Sequence, residues 1–112
     1  LFSHAGVYLD WTKKYEITLE ELFDFKKFLE KRWQTLEDVS YTRGGWDKVG
    51  SCIWADIRES VENELPVMFK KQIVGHTQME SKPYITTRIA CLDVRQCFIL
   101  DTETDEIMGI DA

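Results

Sequence analysis

A chain of 112 residues that is 44% apolar, 30% charged and 12% aromatic, with two prolines, has the composition of one packed domain and excludes a disordered tail. Twenty acidic against 14 basic side chains give a net charge of −6, which works against nucleic-acid binding and against an anionic membrane surface. The same charge repels a phosphorylated substrate, so a phosphate-handling site here needs bound cations or local arginines to reverse the field.

The chain opens at Leu1-Phe2 in what reads as the end of a buried strand running to His4, followed by the small residues Ala5-Gly6. A strand already in progress at the first residue predicts a piece of a longer protein, residues 1–112 forming one unit whose N-terminal half lies elsewhere. Thr18-Leu19-Glu20-Glu21 has the capping-box form and predicts a helix start. From there Leu22, Phe25, Leu29, Trp33 and Leu36 recur at three- and four-residue steps, an amphipathic pattern of roughly five turns. Phe23 and Phe28 widen its apolar face, as burial on two sides or a partner surface would.

Tyr41 to Asp47, with Gly44-Gly45, reads as a loop carrying Arg43. Ile57 to Asn63 predicts a brief helix ahead of Pro66. Lys71 to Val74 is a short strand ending at Gly75-His76-Thr77, and residues 78–86 read as a polar loop. Ile89–Val94 and Cys97–Leu100 read as two strands turning at Arg95-Gln96 and packed on both faces; an acidic turn and an edge strand over Ile107–Ile110 close the chain. The sum is an α+β unit: a mixed sheet with antiparallel C-terminal strands, packed against one long amphipathic helix and a shorter one.

Cys52, Cys91 and Cys97 are odd in number and form no C-x-x-C pair, so they read as buried thiols of a cytoplasmic protein. No apolar run approaches the 18 or so residues of a membrane span, and no signal-peptide pattern is present. Both of the chain's histidines, His4 and His76, sit at strand-to-loop junctions beside small residues, where a neutral imidazole can meet a metal ion in a crevice at the sheet edge. Two ordinary histidines are the plain alternative, because a separation of 72 residues is no ligand spacing in itself.

Phe2-Ser3-His4-Ala5-Gly6 and Ile73-Val74-Gly75-His76-Thr77 resemble the two late histidine motifs of calcineurin-like metallophosphoesterases, the superfamily of serine/threonine protein phosphatases and dinucleoside tetraphosphatases. Trp54 with Arg58 and Glu59 falls between them, as a tryptophan-arginine segment does in the bacterial branch, and Leu92 to Asp101 is similar to the closing strands. The resemblance implies that His4 and His76 ligate one ion of a divalent pair (Mn, Fe, Zn or Mg), and that the unit belongs to a metallophosphoesterase sandwich. It also implies that Arg58 first, and Arg43 second, clamp the phosphate of a phosphorylated substrate. Ala55-Asp56-Ile57 spaces Trp54 from Arg58 more widely than the bacterial pattern, and Asp56 also resembles an aspartate of the eukaryotic branch. The family's Gly-Asp-x-His, Gly-Asp-x-x-Asp-Arg and Gly-Asn-His-Glu segments do not occur in these residues, so this chain alone is expected to be inactive and to self-associate, as a homodimer, through the face its missing half covers. The rival expectation is a non-catalytic interaction module that presents Phe23 and Phe28 to a partner and whose histidines are structural.

Overall fold

The computed structural model describes residues 1–61 and 63–110. The opening segment lies alongside β1 (Gln72–Val74): Ile73 N–H donates to Leu1 O at 2.8 Å, Ser3 N–H to Ile73 O at 3.1 Å, and Gly75 N–H to His4 O at 2.9 Å. Only the parallel bridge between Phe2 and Ile73 remains of the expected buried strand, and Phe2 is exposed. β1 pairs in parallel with β3 (Ile89–Cys91), and β3 pairs antiparallel with β2 (Tyr84–Ile85), giving the order β1-β3-β2. The central strand β3 is buried throughout, as its apolar run requires. β2 falls inside the stretch expected to be loop, where polar neighbours and Pro83 hide a two-residue strand.

β4 (Cys97–Leu100) and β5 (Ile107–Ile110) form a separate antiparallel hairpin in which Cys97 faces Ile110 and Leu100 faces Ile107. The expected turn at Arg95-Gln96 is present, Gln96 N–H donating to Val94 O at 2.6 Å, but it does not pair β3 with β4. The strand that β4 pairs with is β5, across the expected acidic turn, where the Asp101 carboxylate accepts the N–H groups of Glu103 and Thr104. The expected burial of β4 on both faces also fails, since Cys97 and Ile99 are exposed.

One long helix does not form. A short α1 (Leu9–Lys14), which carries no periodic signal in the sequence, buries Trp11 and Thr12. α2 (Leu19–Phe23) starts on the predicted capping box and stops at Asp24, whose φ of −107° and ψ of 64° are non-helical; α3 (Phe25–Arg32) follows, and a 3₁₀ turn spans Trp33–Glu37. The break re-aims the apolar stripe. Phe28 is 3% exposed and packs edge-on against Trp11 at 6.3 Å, while Trp33 is 52% exposed. Arg32 donates to both Glu21 and the Tyr15 carbonyl, fixing the end of α3 against the end of α1. Ile57–Val61 is a 3₁₀ turn, shorter than the helix expected over residues 57–63, of which Glu62 lies outside the described residues.

The larger core cluster gathers Tyr8, Trp11, Leu22, Phe28, Leu36, Cys52 and Phe69, and a smaller one gathers Ile57, Val74, Ile89 and Cys91. Gln72 ties β1 to the segment after His4: its buried carboxamide accepts Val7 N–H at 2.8 Å and donates to Val7 O at 2.7 Å. Cys52 and Cys91 are buried as expected and Cys97 is not. No helix among the described residues is long and apolar enough to cross a membrane.

Candidate functional site

The backbone bond from Gly75 to His4 sets the two histidine turns side by side at one end of the β1 edge. His4 Nε2 and His76 Nδ1 lie 2.8 Å apart, with ring centroids at 4.5 Å and an interplanar angle of 53°. Residues 72 apart in sequence thus meet ring to ring. His76 is held there at a backbone φ of +66°, inside a three-residue turn closed by Thr77 N–H donating to Gly75 O at 2.7 Å. That is the rare, strained form of the γ-turn, and a non-glycine residue at positive φ costs about 1–3 kcal/mol that surrounding contacts must offset. Those contacts are visible: the Cys91 thiol lies 3.3 Å from Thr77 O, and Trp54 meets the His76 ring edge to face at 5.8 Å.

Arg43 Nη2 donates to the His76 carbonyl at 3.1 Å and to Thr77 Oγ1 at 2.9 Å, joining the glycine loop to the histidine turn. Its Nε stands 3.1 Å from Asp56 Oδ2, an ion pair rather than an aligned hydrogen bond. Arg58 holds the same carboxylate bidentately, Nε to Oδ1 and Nη2 to Oδ2, both at 2.9 Å. Asp56 is 0% exposed. Burial pushes its carboxyl up, but hydrogen bonds from Arg58 and the charges of Arg58 and Arg43 outweigh that and hold it below the ordinary carboxylate range. Both sequence-derived arginines are therefore together, each with part of its guanidinium fork already engaged.

Asp56 and Glu59 are the residues to which the sequence reading gave no role of their own here. Glu59, 4% exposed, accepts Gly50 N–H at 3.0 Å, the Thr42 hydroxyl at 3.2 Å and the Asp56 N–H. Asp56 in turn accepts the Arg58 N–H at 2.9 Å. A sequence signal existed: Asp56-Ile57-Arg58-Glu59 repeats the spacing of the capping box at Thr18, with a carboxylate reaching back to the amide three residues earlier.

A cavity of about 580 Å³ opens over Arg43, Asp56, Arg58, His76 and Thr77. An apolar one of about 550 Å³, lined by Phe2, Leu22, Phe23, Cys52 and Ile53, flanks His4. Burial first, then the charges of Arg43 and His4, lower the His76 pKa below its ordinary value, favouring the neutral imidazole that binds metals. His76 Nε2 is buried with no hydrogen-bond partner. At 2.8 Å the two ring nitrogens share a hydrogen bond, closer than the roughly 3.3 Å that two imidazole nitrogens keep on one tetrahedral cation, so a cation between them would replace the shared proton and spread the pair. Among the described residues no group of three or more His, Cys, Asp or Glu converges to complete such a sphere. The donors gathered here among the described residues do not fit a whole metal site. No protein-family model matches the chain, and no curated protein or solved structure is found similar to it.

Proposed function

We propose that the chain is the C-terminal portion of a metal-dependent phosphoester hydrolase of the calcineurin-like metallophosphoesterase kind, part of its sandwich, and lends it His4 and His76 as ligands of one divalent cation. The observation that carries the reading is the meeting of the two imidazoles 2.8 Å apart, beside a pair of arginines. Divalent cations held there would supply positive charge to offset phosphate oxygens and to make a water more acidic. This chain's residues have narrower tasks. His4 and His76 present ring nitrogens, Trp54 orients the His76 ring, and Arg58 with Arg43 turns its remaining N–H donors toward phosphoryl oxygens. The remaining ligands would come from the N-terminal half, and phosphoproteins and dinucleoside polyphosphates both remain within the substrate class.

The test is hydrolysis of p-nitrophenyl phosphate with manganese by a longer protein that joins this chain to its N-terminal half. His4→Ala and His76→Ala are each expected to lower kcat by at least about 100-fold. Full activity in both variants would sink the reading. The 112 residues alone are expected to show no turnover. The interaction-module reading keeps Phe23, which is 67% exposed, and loses Phe28, its second expected contact, which is buried. That reading predicts a protein indifferent to divalent ions.

A further inference from the structure

A glutamate that only caps the 3₁₀ turn at Ile57–Val61 needs one donor, the Asp56 amide. Glu59 takes two more from a distant stretch of chain: Gly50 N–H on Oε1, and the Thr42 hydroxyl on Oε2. The stretch between those donors is the loop that carries Arg43. Thr42 also accepts Arg58 Nη2 on its carbonyl, at 3.4 Å, and Gly50 leaves no room for adjustment because an added Cβ there would lie 2.7 Å from the Ala55 nitrogen. We propose that Glu59 is the positioning residue of this site, its buried carboxylate locking the loop of Arg43 to the turn of Asp56 and Arg58 so that both guanidiniums face one cavity. What the arginines hold rests on the phosphoester reading above; that Glu59 orients them does not.

Glu59→Gln tests it. A carboxylate accepts all three donors, whereas a glutamine amide presents its NH₂ to one of them and cannot accept there. In the ¹⁵N-labelled 112-residue chain, Arg43 and Arg58 are expected to give resolved, slowly exchanging Nε–H signals, Arg58 because its Nε–H donates to Asp56 and Arg43 because its Nε is buried beside the same carboxylate. In E59Q those two signals are expected to broaden or vanish while the backbone amides of β1 and β3 keep their positions. Inorganic phosphate is expected to shift both signals in the wild type and to bind E59Q about tenfold more weakly, the consequence of misplaced donors. Arginine signals unchanged in E59Q would overturn the role. If E59Q loses the β1 and β3 amide pattern, Thr42→Val, which deletes a single donor, takes its place: broadened arginine signals sustain the role and unchanged ones overturn it. Arginine signals that depend on Glu59 in a protein indifferent to phosphate would retire the phosphate reading and leave the positioning role standing.

Discussion

His76 combines a strained backbone with a ring that meets His4, so its two contributions separate by mutation. His76→Ala removes the ring and keeps the strain; His76→Gly removes both. Glycine is expected to leave the protein about 1 kcal/mol more stable than alanine does, measured by urea unfolding. Equal stabilities would mean that the turn is not strained. Asp56 yields a pH prediction of definite sign. Its folded carboxyl titrates below its unfolded value, so its contribution is complete above the unfolded pKa of about 3.9 and is lost as pH falls through the folded value. Asp56→Asn is therefore expected to cost about 2 kcal/mol at pH 7, from the loss of charge-assisted hydrogen bonds. The cost should shrink below about pH 4 as the wild-type carboxyl itself becomes protonated. A cost independent of pH would show that the charge does not matter. The meeting of His4 and His76 was not legible from residue chemistry, because a separation of 72 residues is no ligand spacing in itself and only the pairing of the opening segment with β1 brings the two turns together. Nor was the buried carboxylate between the arginines, since burial of an Asp depends on partners that only the fold supplies.

The glycine loop is the element that delivers Arg43, and its two glycines are not equivalent. A Cβ on Gly45 would sit 2.0 Å from Val39 O, whereas Gly44, at φ +84°, has open space around it. Gly45→Ala is expected to cost about 2 kcal/mol through backbone displacement, and Gly44→Ala about 1 kcal/mol through its dihedral alone. Chemical denaturation separates the two, and a Gly45 variant as mild as the Gly44 variant would contradict the close approach. The helical region shows where element-level reading stops. The capping box at Thr18 was readable because its chemistry is local. The break at Asp24 was not, because an uninterrupted Leu22-Phe25-Leu29-Trp33-Leu36 stripe fits a straight helix equally well. The core instead took Leu22, Phe28 and Leu36, a choice made by packing against Trp11.

Across the whole molecule, apolar surface collects on the β4–β5 hairpin, where Ile99, Met108 and Ile110 are exposed and no third strand is paired to either edge among the described residues. Phe2, Phe23 and Ile53 add a second exposed group beside the apolar cavity. Faces of this kind favour association. Light scattering at rising concentration is expected to show dimers or larger species, and a monomer throughout would contradict an uncovered docking face. The α+β class and the mixed sheet were readable from apolar runs, while the hairpin partner of β4 was not, because strand pairing is decided by turns and distant segments.

The central claim is that His4 and His76 belong to one coordination sphere. Titrating zinc into the chain while following both imidazole signals by NMR tests it directly. The two rings are expected to shift together, along one binding curve and with one stoichiometry. A response from one ring alone, or from neither, would contradict a shared cation.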